Sequence, residues 1–125
     1  MMNAYLLDDF PAPICRTDPS GDLNYCNRAW SDFTGRPAVE QLGSGWVHSI
    51  HPEDREGCLG AYMQAVSAGK PFECEYRLRR WDGEYRWVFD IGRPFYNREH
   101  RCSGYVRVCY DNTDRKLSGG RIRRG

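Results

Sequence analysis

Residues 72–79 place the tightest constraint on the fold. Phe72, Cys74, Tyr76 and Leu78 alternate with Glu73, Glu75, Arg77 and Arg79. A period of two belongs to a strand with one dry face and one wet face. Asp82-Gly83 follows, a pair suited to a tight hairpin turn. Residues 85–93 then read as the returning strand, which Pro94 is expected to end. After a polar loop at 97–101, residues 102–111 read as a further strand. A sheet of this kind must bury one face against other elements.

Those elements lie upstream. Residues 14–18 and 23–26 read as two short strands joined by the Asp18-Pro19-Ser20-Gly21 turn. Ala29, Trp30 and Phe33 give residues 27–35 helical spacing, and Gly35 with Pro37 stops it. Residues 38–42 suit another short helical turn, and Gly43 and Gly45 loosen the chain before Trp46. His51-Pro52-Glu53-Asp54 is a strong helix start. Proline suits the first helical position, and the carboxylates suit the positive end of the dipole. Leu59, Tyr62, Met63 and Val66 mark one apolar face, and Gly69 stands where a C-cap belongs, so a long helix is expected over 52–68. The order ββ, helices, βββ predicts an α+β domain, one antiparallel sheet with helices gathered on one side.

A chain of 125 residues fits one domain. Residues 1–10, with Tyr5, Leu6, Leu7 and Phe10, are expected to form an N-terminal cap segment, 11–116 the domain, and 117–125 a disordered tail or truncated linker. The net charge of +1 argues against a nucleic-acid partner bound by bulk charge. The basic residues Arg115, Lys116, Arg121, Arg123 and Arg124 read as a solvated tail, the sharper alternative being a contact with nucleic acid or an acidic partner. No apolar run approaches the roughly 20 residues of a membrane span. The first ten residues carry Asp8 and Asp9 and lack the basic start of an export signal, so no membrane contact and a cytoplasmic location are expected. Cys15, Cys26, Cys58, Cys74, Cys102 and Cys109 show no Cys-x-x-Cys spacing and no zinc-like pairing with histidine, so they read as buried thiols and no metal is expected. No catalytic set is visible. Helix capping accounts for Glu53 and Asp54, and an exposed strand face for Glu73 and Glu75.

Five pieces, in order, resemble the PAS family. Asp18, Gly21, Leu23, Tyr25 and Asn27 are similar to its first hairpin, and Phe33-Thr34-Gly35 to the turn after its first helix. Trp46 with Ile50-His51-Pro52-Glu53-Asp54 resembles the start of its long helix. Residues 72–80 with Asp82-Gly83-Glu84-Tyr85-Arg86-Trp87 resemble its long hairpin. Asp111, Thr113, Asp114, Arg115 and Lys116 resemble its exit motif, although Asn112 stands where that motif has an apolar residue. The resemblance covers about residues 10–116. It implies a five-stranded sheet in the order 2-1-5-4-3, with helices on one face around a space able to hold a small molecule. It also implies a sensor upstream of a histidine kinase or diguanylate cyclase effector, dimerisation through the outer sheet face, and a chain that is a piece of a larger protein.

Two faces of the last strands compete for the interior. Hydrophobicity alone would bury Trp87, Phe89, Ile91, Val106, Val108 and Tyr110. The resemblance instead turns Val88, Asp90, Tyr105, Arg107 and Cys109 inward, with Trp30, Phe33, Trp46, Met63, Tyr76 and Leu78 completing the candidate ligand-binding set. Both hold if the outer face is covered by the N-terminal segment and a second copy, so a homodimer is expected. Asp90 and Arg107 would face inward together, either satisfying each other or leaving Arg107 to hold an anion such as a carboxylate. No cofactor is identified. Haem is disfavoured because residues 52–68 contain no histidine, and adduct-forming flavin because residues 46–50 contain no cysteine. No base or helix start marks Cys58 or Cys109 as a thiolate. His51 is expected to cap the long helix and His48 to lie in a loop. The alternative to a ligand-binding sensor is an interaction domain whose interior is filled by Trp30, Trp46, Met63 and Tyr105.

Overall fold

The computed structural model describes residues 7–118. Strands β1 (Ile14–Thr17) and β2 (Leu23–Cys26) open the fold. Helices α1 (Arg28–Thr34) and α2 (Ala38–Gln41), a 3-10 turn (Gly45–Ser49) and the long α3 (Pro52–Ala68) follow. Strands β3 (Phe72–Arg79), β4 (Tyr85–Tyr96) and β5 (Cys102–Asp111) complete the sheet, and α4 (Thr113–Leu117) leaves it. The sheet is antiparallel in the order β2-β1-β5-β4-β3, as expected. Tyr5 and Leu6 of the expected cap, and residues 119–125 of the expected tail, lie outside the described residues.

The helix boundaries follow from their caps. Asn27 accepts the Trp30 N–H at the start of α1, and left-handed Gly35 ends it. His51 caps α3 through Nδ1, which accepts the Glu53 N–H at 3.1 Å, and Pro52 takes the first helical position. Asp54 does more than favour the dipole. Its carboxylate receives Arg77 Nε at 2.9 Å, Arg77 Nη2 at 2.8 Å and the Arg77 backbone N–H at 2.9 Å, fixing the start of α3 on β3.

Two sequence expectations need correction, and one choice between two sheet faces is decided. Strand β4 runs on through Pro94 to Tyr96. Strand β3 reaches only as far as Gly92 on that side, so beyond it β4 pairs with β5 alone and the missing proline N–H costs no bond with β3. The inner sheet face is the less apolar one. Val88, Asp90, Tyr105, Arg107 and Cys109 are buried, whereas Trp87, Phe89, Ile91, Val106 and Val108 are half-buried and Tyr110 is 49% exposed. Finally, Met63 is 45% exposed and points away from the interior. The buried stripe of α3 is Cys58 and Tyr62, with Ala65 and Val66 packed beside them; Leu59 and Met63 lie one residue around the helix, outside it.

Candidate functional site

The interior is organised around Arg107. On the inner face, one row across the sheet runs Cys26, Cys15, Arg107, Gly92, Phe72, and the next runs Cys109, Asp90, Cys74. Because alternate residues of a strand share a face, Arg107 and Cys109 point inward together with Asp90. The Arg107 side chain crosses above Gly92, where a Cβ would stand 3.0 Å from Arg107 Cγ. Its Nε donates to Asp90 Oδ1 at 3.3 Å and its Nη2 donates to Asp90 Oδ2. The guanidinium carbon lies 4.0 Å from the Trp46 ring centre, 4.5 Å from Tyr62 and 5.4 Å from Phe72. The Trp46 and Phe72 rings each stand edge to face with Tyr62. The cation is thus boxed by three aromatic faces and neutralised by one carboxylate.

Asp90 has a second partner, since the Tyr76 hydroxyl donates to Oδ2 at 2.7 Å and lies 3.7 Å from the Cys109 sulfur. Burial is the largest single influence on Arg107 and opposes its charge, but Asp90, first among its neighbours, acts against burial with the others, and the net effect holds the guanidinium protonated above its usual range. Burial pushes the Tyr76 hydroxyl and the Cys109 thiol well up, and the Cys15 thiol to about 12. These groups remain neutral donors, so the centre is one ion pair in a neutral polar shell. Arg107 Nη1 is buried and has no hydrogen-bond partner among the described residues.

The rest of the interior is closed by side chains. Tyr62 donates to the Gly21 carbonyl at 2.6 Å. The Tyr105 hydroxyl lies 3.1 Å from the Ala65 carbonyl and 2.8 Å from that of Lys70, sealing the C-terminal end of α3 over the sheet. Trp30 Nε1 donates to Gln41 Oε1 at 3.2 Å. Among the expected ligand-binding residues, Trp30, Trp46, Tyr76, Leu78, Val88, Asp90, Tyr105, Arg107 and Cys109 are buried, and Phe33 packs against them half-buried. Side chains with almost no accessible surface border no water-sized void, so this interior is packed. Tyr62 and Phe72, two of the three aromatic walls around Arg107, were legible only as members of apolar stripes. Among the described residues no cluster of three or more His, Cys, Asp or Glu is placed to hold a metal.

The strands carrying the ion pair also carry the exit. Asp111 Oδ1 accepts the Thr113 N–H at 3.0 Å and its hydroxyl at 2.7 Å, and Thr113 Oγ1 accepts the Trp87 N–H at 2.9 Å. Arg86 bridges to Asp111 at 2.9 Å. Asn112 donates to Glu75 at 2.6 Å, and Lys116 pairs with the same carboxylate at 2.5 Å while stacking over Trp87. The polar residue at 112 therefore binds the exit to β3 by hydrogen bonding, where an apolar one would pack. Arg16 over Phe95 and Arg77 over Trp87 cover further parts of the outer face.

Residues 23–109 match a family model described as PAS fold. A Sinorhizobium fredii protein, y4lL, is 35% identical over 111 residues, covering 89% of this chain. The peroxide stress-activated histidine kinase mak1 of Schizosaccharomyces pombe is 30% identical over 95 residues, covering 68% of this chain. The chain spans 13% of the first relative and 6% of the second. The fold is similar to the N-terminal domain of a diguanylate cyclase with PAS/PAC sensor from Marinobacter aquaeolei, with a TM-score of 0.71, 19% identity, and 82% of this chain and 95% of that one covered. A PAS domain from Colwellia psychrerythraea gives 0.72 at 22% identity, covering 90% and 95%. At those identities the likeness shows the fold.

Proposed function

The chain belongs to the PAS family, and we propose that it is a non-catalytic sensing and dimerisation module that works in the cytoplasm and governs an effector of the histidine kinase or diguanylate cyclase type. One observation carries this reading: β4 and β5 hold the buried Asp90–Arg107 pair and also Trp87 and Asp111, which clamp Thr113 at the start of α4. A change of packing around Arg107 has a short covalent route to α4, three residues from Asp90 to Trp87 and four from Arg107 to Asp111. Relatives that carry histidine kinase and diguanylate cyclase names support the class of effector. The half-buried Phe89, Ile91, Val106 and Val108 beside exposed Tyr110 support a homodimer through the outer sheet face.

The packed interior favours signalling by repacking without a bound molecule. A second reading, that the interior takes a small carboxylate, is favoured by one atom, the unpartnered Arg107 Nη1. Amide hydrogen exchange on wild type and Arg107→Met tests the coupling. The expected result is faster exchange in α4 and at the Trp87 amide, and unchanged exchange there would sink it. Native mass spectrometry of the same chain separates the two readings. Twice the chain mass with nothing added supports a ligand-free dimer, added small-molecule mass supports the second reading, and a monomer removes the dimer.

A further inference from the structure

Arg16 is a half-buried arginine that the fold leaves without an anion. The other half-buried arginines are all engaged. Arg36, Arg77, Arg80 and Arg86 bridge to carboxylates, and Arg55 donates to the carbonyls of Ile50 and His48. Arg16 has neither kind of partner among the described residues. It stacks instead on Phe95, its guanidinium carbon 4.6 Å from the ring centre. Stacking covers one flat face of a guanidinium and leaves its N–H edge open. The place is built for that ring. Phe95 pairs with Gly104 across the β4–β5 ladder, and a Cβ on Gly104 would stand 3.1 Å from Phe95 Cε1, so the missing side chain makes room. Beside the stack lies a pocket of about 240 Å³. Leu7 and Tyr25 give it apolar walls, and Asn24 and Ser103 border it with a side-chain amide and a hydroxyl that have no hydrogen-bond partner among the described residues. The remaining polar groups are spent. The Tyr25 hydroxyl donates its proton to Asp8 at 2.6 Å, and the Thr17 hydroxyl serves the Asp18 carbonyl and the Tyr105 N–H.

We propose that this pocket binds a small monocarboxylate with an apolar body, its carboxylate on Arg16 and its body against Phe95, Tyr25 and Leu7. The open edge of the guanidinium offers paired N–H donors in the geometry of a carboxylate, and Ser103 and Asn24 stand ready to donate to it. One arginine supplies one positive charge, and no lysine borders the pocket, so a monoanion matches it. The volume lies below the roughly 300–1,000 Å³ of drug-sized sites, which keeps the occupant small. This site is distinct from the interior. Cys15 shares the inner row with Arg107, so Arg16, the next residue of β1, faces the other side of the sheet. An occupant would tie the β1–β2 hairpin to the β4–β5 end through Phe95 and Ser103. Arg16 pairs with Val106, the neighbour of Arg107 in β5, so that tie acts on the strand that carries the buried ion pair.

The test titrates the full chain with sodium benzoate at constant ionic strength and follows nitrogen–proton NMR signals. The expected result is saturating shifts at the Arg16, Asn24 and Ser103 amides and at the Arg16 Nε–H, half complete below about 50 mM. Benzamide, which has the same shape without the charge, should bind at least about tenfold more weakly. Arg16→Gln should weaken benzoate by about tenfold or more, and Arg16→Lys, which keeps the charge and loses the fork, by a smaller factor. The comparison of benzoate with benzamide uses the unsubstituted chain, so it decides the matter even where a variant folds poorly. Equal binding of the two, benzoate binding unchanged in Arg16→Gln, or the absence of saturation overturns the proposal. So do shifts centred on Trp46, Tyr62 and Arg107, which would place the anion in the interior.

Discussion

Gly92 lies directly across the β4–β5 ladder from Arg107, and the missing side chain of the one is the floor for the other. A Cβ there would also stand 3.5 Å from the Phe72 side chain. Gly92→Val is therefore expected to push the guanidinium out of its aromatic box, at a cost of about 1–3 kcal/mol. Urea unfolding measures it, and a loss under about 0.5 kcal/mol would show that the row has room to spare.

The ion pair itself should behave non-additively. Arg107→Met strands the Asp90 carboxylate and Asp90→Leu strands the guanidinium, each at about 3–5 kcal/mol. Asp90→Leu combined with Arg107→Met removes both charges and should be less destabilised than Arg107→Met alone. A double-mutant cycle in which the single costs simply add would contradict a coupled pair.

Acid should unfold the domain through its hydrogen-bonded carboxylates. The bonds from Arg77 hold Asp54 below its ordinary 3.8, the Ser20 hydroxyl does so for Asp18, and Arg80 holds Asp82 at about 2. A depressed folded value means stability that is complete above the unfolded value and lost as pH falls through the folded one. Thermal midpoints should thus be flat above about pH 5 and drop between roughly pH 4 and 2. Asp54→Asn should flatten part of that acid limb, and an unchanged slope would remove Asp54 from the account.

Two residues expected from sequence to share a binding site should part company. Trp46→Ala empties the wall beside Arg107 and should cost about 3–5 kcal/mol. Met63→Gln, on the outer side of α3, should change stability by less than about 0.5 kcal/mol. A large loss at Met63 would mean that α3 sits rotated by one residue from the arrangement described here.

The legible parts were those written in local chemistry. The alternation from Phe72 to Leu78, the Asp82-Gly83 turn, and the His51, Pro52 and Gly69 signals gave the β3–β4 hairpin and α3 with their boundaries almost intact. What stayed hidden was decided between elements. Periodicity shows that β4 and β5 have two faces without saying which one the helices cover, and the more apolar face turned out to be the outer one. The apolar face of Leu59, Tyr62, Met63 and Val66 proved right at Tyr62 and Val66, but the docking of α3 on β3 buries Cys58 and leaves Leu59 and Met63 outside.

The place of β1 has a consequence for how the domain is made. Its neighbours are β2, which follows at once, and β5, the last strand of the sheet. The Thr17 hydroxyl receives the Tyr105 N–H at 2.9 Å across 88 residues, and Gly104 passes so close that a Cβ would meet the Thr17 carbonyl at 1.9 Å. During synthesis the N-terminal hairpin must therefore wait on the ribosome with one ladder edge open until β5 emerges. Closure of that long loop, more than formation of α3, should set the pace of folding, and the waiting β1 edge is the point at which nascent chains would pair wrongly.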